Sequence, residues 1–188
     1  YIVAADGVYS RTKEILFKKE GTPKYFNSIA LRGNIQNFEN LDISLYLGSN
    51  FHFVIYPINQ NNEFNFISIV RKKLVESEIT NRSLFKDKSF INNLMSQISS
   101  KSDLNLTELV NEVKCFPIFV SKKIKIPSNK NIFLMGDAFF SFPPSFAQGA
   151  SQSIESANDL FNELNNNLSN YYKKRVLKTK QILSLIYI

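Results

Sequence analysis

The stretch "IFLMGDAFFSFPPSFAQGASQSIESA", Ile132 to Ala157, limits the possible folds more than any other part of the chain. Ile132 to Met135 has the length and apolarity of a buried strand. Gly136-Asp137 ends it, a loop through Pro143-Pro144 follows, and Ala150, Ile154, Ala157, Leu160, Phe161 and Leu164 then recur in steps of three and four. That spacing predicts one apolar stripe of an amphipathic helix. The chain opens with the same order of parts: apolar Ile2 to Ala5, the turn Asp6-Gly7, and a helical segment from Ser10 to about Lys19. Two strand, acid-glycine turn and helix units point to a layered α/β arrangement.

Between these units the texture changes. "KYFNSIALRGNI", "ISLYLG", "FHFVIYPI" and "FNFISIVRK" predict an antiparallel sheet, the last two strands joined across Asn59 to Glu63. In the third strand Phe51, Phe53 and Ile55 share one face while His52, Val54 and Tyr56 share the other, so both faces are expected to be covered at least in part. Phe90, Ile91, Leu94, Met95 and Ile98 have helical spacing, and a second short helix is expected through Leu106, Leu109 and Val113. "CFPIFVSKKIKI" reads as extended, and a last helix is expected over Tyr171 to Ile188. The expected class is mixed α/β, with α+β character in the middle. Residues 1–20 and 129–188 belong to one layered domain, and residues 21–128 form an inserted antiparallel-sheet domain with helices.

At 188 residues, 44% of them hydrophobic, the chain can bury a good core. One cysteine, Cys115, rules out an intrachain disulfide and suits a reducing compartment, so a cytoplasmic location is expected and Cys115 is read as core. No apolar run approaches the ~20 residues of a membrane span. The net charge of +7 is spread over small clusters such as Lys18-Lys19, Arg71-Lys72-Lys73, Lys122-Lys123 and Lys173-Lys174-Arg175, which reads as solvated surface rather than a nucleic-acid interface. One histidine and one cysteine leave no metal-ligand spacing. The start at Tyr1, inside an expected strand, reads as a piece of a longer chain.

Alone, an aspartate after a glycine is usually a turn residue or a cap. Here Ser145 to Gln148 matches a capping box that places a helix start near Phe146 to Ala147, Pro143-Pro144 stiffen the approach, and Gly149 permits close backbone approach. A carboxylate on one side and helix N–H groups on the other suit a ligand with hydroxyls at one end and carbonyl acceptors at the other. A flavin, with its ribityl chain and pyrimidine edge, has that chemistry.

The same residues carry a family resemblance. "GDAFFSFPPSFAQGASQSIESA" resembles the Gly-Asp motif of the FAD-dependent aromatic hydroxylases, the flavoprotein monooxygenases of the salicylate hydroxylase and p-hydroxybenzoate hydroxylase type, with matches at Gly136, Asp137, Ala138, Pro144, Gln148 and Gly149. "ADGVYSR" is similar to the family's Asp-Gly motif at Asp6, Gly7, Ser10 and Arg11, and "ALRG" and "YLGSNFHFVIYPI" resemble the salicylate hydroxylase branch in order and spacing. The resemblance implies an FAD/NAD(P)-binding domain interrupted by an antiparallel-sheet substrate domain. It implies that Asp137 bonds the ribityl chain, that the backbone of Gly149 and Ala150 meets the pyrimidine ring, and that Asp6 and Gly7 lie near the pyrophosphate and ribose. Arg11 is then a contact for FAD or for NADH or NADPH, and Pro144 belongs to the same cofactor loop. The sheet from Lys24 to Val70 roofs the flavin, with His52 and Arg32 as substrate-side candidates and His52 a weak catalytic one. The implied activity is hydroxylation of a small aromatic substrate with O2 and NAD(P)H.

Departures from the pattern are Phe139-Phe140 for Ala-His, Ser151 for Asn, Ser156 for Asp, Lys13 for Arg and Leu31 for Trp. The Phe-rich run from Phe139 to Phe146 reads equally as an aromatic pocket or as core. The family's strand, Gly-x-Gly-x-x-Gly turn and helix for the ADP half are not in this sequence, so the chain is expected to be the C-terminal portion, inactive alone. A reductase or dehydrogenase of the same superfamily, or a noncatalytic remnant without flavin, are the alternatives.

Overall fold

A computed structural model of the chain describes residues 1–39, 42–59, 61–144 and 147–186. Among them the elements run β1 (Ile2–Ala4), α1 (Arg11–Phe17), β2 (Lys24–Gln36), β3 (Ser44–Leu47), β4 (Phe51–Pro57), β5 (Glu63–Arg71), α2 (Glu76–Thr80), α3 (Lys88–Ser99), α4 (Leu106–Leu109), β6 (Asn111–Val120), β7 (Ile132–Leu134), α5 (Gly149–Leu164) and α6 (Ser169–Ile186). The chain divides into two compact units, Tyr1–Lys24 with Phe119–Ile188, and Tyr25–Ile118.

The second unit is a five-stranded sheet in the order β3-β4-β5-β2-β6. The antiparallel register sets Phe53 opposite Ser68 and Ile55 opposite Phe66 on the β4/β5 pair, and Leu31 opposite Ser68 on the β2/β5 pair. Alternation then sends Ile29, Leu31, Ile35, Phe51, Phe53, Ile55, Phe64 and Phe66 to one face, where they are buried with Ile91, Leu94, Met95 and Ile98 of α3. Asp87 caps α3 by accepting from the Phe90 N–H at 2.7 Å. Cys115 lies in this core, and burial pushes its thiol up to about 12.

The structure corrects the helix expected through Val113. Helix α4 stops at Leu109, and Val113 belongs to β6. A Cβ on Gly33 of β2 would fall 2.4 Å from Val110 Cγ1 and 2.7 Å from the Asn111 carbonyl, so glycine at this position lets the start of β6 approach the sheet closely. Sheet pairing overrides the helical spacing of the leucines and valines.

The first unit holds a two-stranded parallel sheet of β1 and β7, with Ile2 opposite Ile132, Val3 opposite Phe133 and Ala4 opposite Leu134. Here a second correction concerns α5. It begins at Gly149, with no side-chain cap from Gln148; Ser145 and Phe146 of the expected capping box lie outside the described residues. Of the expected apolar stripe Leu160 alone is buried; Ala150, Ile154, Ala157, Phe161 and Leu164 face outward, with Ile154 73% and Phe161 65% exposed. The buried face is Gln152, Ser156, Leu160 and Glu163.

Polar residues can be buried there because α6 supplies partners. Arg175, 2% exposed, donates to Gln152 Oε1 at 2.9 Å and to Asp159 Oδ2 at 3.0 Å, and Lys174 pairs with Glu163 at 2.5 Å. The expected costs are therefore unequal for neighbouring apolar residues of α5. Leu160→Ala lowers unfolding free energy by about 2–5 kcal/mol, whereas Phe161→Ala changes it by no more than about 0.5 kcal/mol, as urea denaturation would measure; comparable losses for the two would contradict the observed face.

Candidate functional site

Parallel pairing of β1 with β7 puts the carboxyl ends of both strands on the same side, and so brings the Asp6-Gly7 and Gly136-Asp137 turns to one end of the sheet. The Met135 N–H bonds the Ala4 carbonyl at 2.9 Å, carrying the pairing up to the turn itself. Gly136 has φ +54, in the left-handed region, and a Cβ there would lie 2.6 Å from Ser153 Oγ of α5. Glycine therefore serves twice, for the backbone conformation and for the close approach of the helix. The single-turn 3-10 segment Gly136–Ala138 follows, with Asp137 half-buried.

Asp6 is exposed and accepts from the Thr12 N–H at 3.0 Å. Its slight burial raises the carboxyl, but hydrogen bonds from Ser10 and Thr12 outweigh that and hold it below its ordinary value. Ser10 caps α1 by accepting from the Lys13 N–H at 2.9 Å. Arg11 points to solvent and pairs with Glu14 one turn along α1 at 2.6 Å. Pro144 is exposed, Gly149 and Ala150 open α5, and a Cβ on Gly149 would meet nothing within 4 Å. The protein's own packing thus does not require glycine at that helix start.

Two residues that sequence reasoning missed hold the turn from behind. Tyr171 and Tyr172 of α6 lie along the side of β7 away from β1. Tyr172 Oη accepts from the Leu134 N–H at 2.8 Å and donates to the Ile132 carbonyl at 3.1 Å. Tyr171 Oη donates to the Leu134 carbonyl at 2.8 Å, which leaves Ser156 Oγ, 2.9 Å away, to donate to Tyr171; the Gly136 N–H in turn donates to Ser156 Oγ at 3.2 Å. The pair of phenols does for the strand edge what a further strand would do. Burial pushes both above the ordinary range, so both keep their protons. The available signal was two adjacent tyrosines in a Lys-rich helix, a pattern that periodicity does not weigh.

Lys13 is the other missed residue. Only 4% exposed, its ammonium donates to the Phe139 carbonyl and to Ser121 Oγ, both at 2.9 Å. Ser121 also accepts from the Ser141 N–H at 3.1 Å, so the cation is tied to the segment that leaves the Gly-Asp turn. Burial lowers the Lys13 pKa to about 8 against the pull of Asp137, while burial raises that of Asp137 against the pull of Lys13. Between about 8 and 10.5 the unfolded chain binds more protons at this lysine, so its contribution to stability improves as pH rises through that window.

Phe139 and Phe140 are buried with Ala4 and Leu134, and Phe139 packs 5.7 Å from the Tyr172 ring, so both belong to core; Phe146 lies outside the described residues. An apolar groove of about 770 Å3 beside Phe133, Tyr172, Val176 and Leu177 sits at the amino end of β7, with Lys130 and Asn131, and is separate from the acid turns.

In the second unit, register places His52 and Arg32 on the face opposite the core. His52 stands across from Ile69, and Arg32 across from Ile67, which in turn faces Val54. His52 is half-buried, and that burial holds its imidazole below the ordinary value; Arg32 is exposed. Asn65 on this face donates to Tyr56 Oη at 2.7 Å.

The fold is shared with several solved structures, some of them complexed with FAD. It resembles 2,6-dihydroxypyridine-3-hydroxylase from Arthrobacter nicotinovorans (16% identity, 93% of this chain and 52% of that chain, TM-score 0.72). It also resembles an HpxO variant from Klebsiella pneumoniae complexed with FAD (16% identity, 92% and 46%, TM-score 0.69) and CtdE in complex with FAD and a substrate (15% identity, 97% and 51%, TM-score 0.73). The chain spans about half the length of these proteins. A family model described as FAD binding domain matches residues 1–181, and the chain belongs to that family. No curated protein sequence matches it.

Removing the Tyr171 hydroxyl leaves the Leu134 carbonyl and the Ser156 hydroxyl buried without that partner. Tyr171→Phe is expected to lower stability by about 1–3 kcal/mol, read from the urea midpoint at constant slope; an unchanged midpoint would show that the hydroxyl chain does not support the turn.

Proposed function

We propose that this chain forms the flavin seat and substrate sheet of an FAD-dependent monooxygenase that hydroxylates an aromatic or similar small organic substrate, with NADH or NADPH as reductant. The observation that carries the reading is a half-buried carboxylate, Asp137, on a turn that packs through Gly136 against Ser153 and Ser156 of α5, a helix that begins at a glycine whose missing side chain the protein does not itself demand. Charged acceptor and free helix N–H groups match ribityl hydroxyls and pyrimidine carbonyls respectively.

In this reading Asp137 accepts hydrogen bonds from the ribityl chain, and the N–H groups of Gly149 and Ala150 serve the pyrimidine edge. Asp6 and Gly7 serve the pyrophosphate and ribose. Arg11, exposed and paired with Glu14, can exchange that partner for a phosphate, and Pro144 stiffens the approach to α5. FAD supplies the electron-transfer and oxygen chemistry that no side chain of the protein can perform. The protein binds, orients and excludes water. On the open face of the sheet, Ile67, Ile69 and Val54 offer apolar surface for a ring, and Arg32, His52 and Tyr56 offer polar groups for its substituents. Support comes from the FAD binding domain family and from the fold shared with FAD-complexed structures.

The test is a titration with FAD of the protein expressed from its complete reading frame, followed by quenching of flavin fluorescence. Losing a charge-assisted hydrogen bond is expected to weaken binding roughly ten- to a hundredfold in Asp137→Ala, with the fold intact by circular dichroism. Wild-type affinity in that variant would remove Asp137 from the site, and absence of FAD binding by the wild-type protein would overturn the reading as a whole.

A further inference from the structure

The buried ammonium of Lys13 has no role in the function as stated, yet its position is specific. It sits on α1, directly after the Asp6-Gly7 turn, and its two acceptors lie on other segments: the Phe139 carbonyl, two residues beyond Asp137, and Ser121 Oγ, which in turn holds the Ser141 N–H. Burying a cation is costly unless it is bonded and balanced by charge. The nearby charged groups are otherwise engaged. On α1 Glu14 is paired with Arg11; Glu20 is paired with Lys125; Lys122 and Lys123 beside Ser121 are exposed. Against the Gly-Asp turn α5 presents the hydroxyls of Ser153 and Ser156, while its acids Glu155, Asp159 and Glu163 pair with Lys178, Arg175 and Lys174 of α6. Asp137 is thus the charge that answers Lys13, acting across space rather than in a contact pair.

We propose that Lys13 is the positioning residue of Asp137: its ammonium ties the first acid turn to the second through the Phe139 carbonyl and Ser121 and stands as the counter-charge to the half-buried Asp137. The consequence for flavin binding rests on the reading of Asp137 as a ribityl ligand; the electrostatic coupling itself does not. The sign is fixed by the geometry. Burial favours the neutral acid, Lys13 favours the carboxylate, and removal of Lys13 lets Asp137 hold its proton to higher pH. An acceptor for ribityl hydroxyls is then weakened first on the acid side.

The experiment measures two things in the wild type, Lys13→Met and Lys13→Arg: the titration of the Asp137 carboxyl by carbon-13 NMR, and the FAD dissociation constant from pH 5 to 8 by fluorescence quenching. In Lys13→Met the Asp137 titration moves to higher pH, and the FAD dissociation constant at pH 5 rises roughly tenfold over wild type, with a much smaller change at pH 8. Lys13→Arg, which keeps the charge, returns both curves toward wild type, a rescue that a purely structural role for the side chain would not tie to pH. If Lys13→Met does not fold, Lys13→Gln makes the same comparison without charge. An Asp137 titration unchanged by loss of the charge, or lost equally in Lys13→Arg, overturns the proposal. A shifted titration with an unshifted FAD profile keeps the coupling and instead removes Asp137 from the flavin site.

Discussion

Parallel pairing of two three-residue strands, β1 and β7, is the constraint on which the site depends. Antiparallel pairing of the same residues would send the two acid turns to opposite ends. Parallel pairing requires a crossover, and here the connection contains the whole second unit, so residues far apart in sequence meet only because the chain returns beside its own start. A ribbon this short cannot stand by itself. Its support comes from Phe133, which stacks on Tyr172 at 6.0 Å and meets Tyr171 edge-on at 5.8 Å, and from the phenol hydroxyls that occupy the outer backbone groups of β7.

The interface between α5 and α6 explains how the helix start is held against the turn. It is polar at its centre: Arg175 is enclosed by Gln152, Asp159 and, at 3.8 Å, Glu155. Such a pairing adds little net stability, because desolvation offsets most of the attraction, but it tolerates few alternative registers. A sliding leucine interface would allow α5 to shift by a turn. A guanidinium with fixed acceptors does not, and the contacts of Gly136 with Ser153 and Ser156, in the same turns of the helix, gain their geometry from that restraint.

What could be read from the sequence follows from what periodicity measures. The alternation of Phe51, Phe53 and Ile55 grouped these residues correctly on one face, which the structure shows to be the core face, and the two strand-turn-helix units were legible because Gly and Asp interrupt short apolar runs. The face of α5 was misread because Ile154, Phe161 and Leu164 were counted as buried for being apolar, whereas Gln152, Ser156 and Glu163 have partners on α6 that no local pattern reveals. Val113 was assigned to a helix because spacing ignores the approach that Gly33 permits across the sheet. Lys13, noted in the sequence only as standing in place of an arginine, and the tyrosine pair had roles that were invisible for the same reason as the α5 face: each acts on a segment distant in sequence.

Phe139 and Phe140, the largest departures from the resembling family's motif, can be weighed on these terms. Their rings are buried among Ala4, Leu134 and Tyr172, while the Phe139 carbonyl receives the Lys13 ammonium. Side chain and main chain therefore serve different ends at the same residue. The rings anchor the segment after Asp137 to the sheet, and the backbone carries the charge relation with α1. Two phenylalanines in place of Ala-His change the packing beneath the turn and leave the acid, its glycine and its counter-charge in position. Variation at these two positions is thus a matter of how the turn is held, and on the proposed reading the chemistry of the site is decided at Asp137, Lys13 and the first residues of α5.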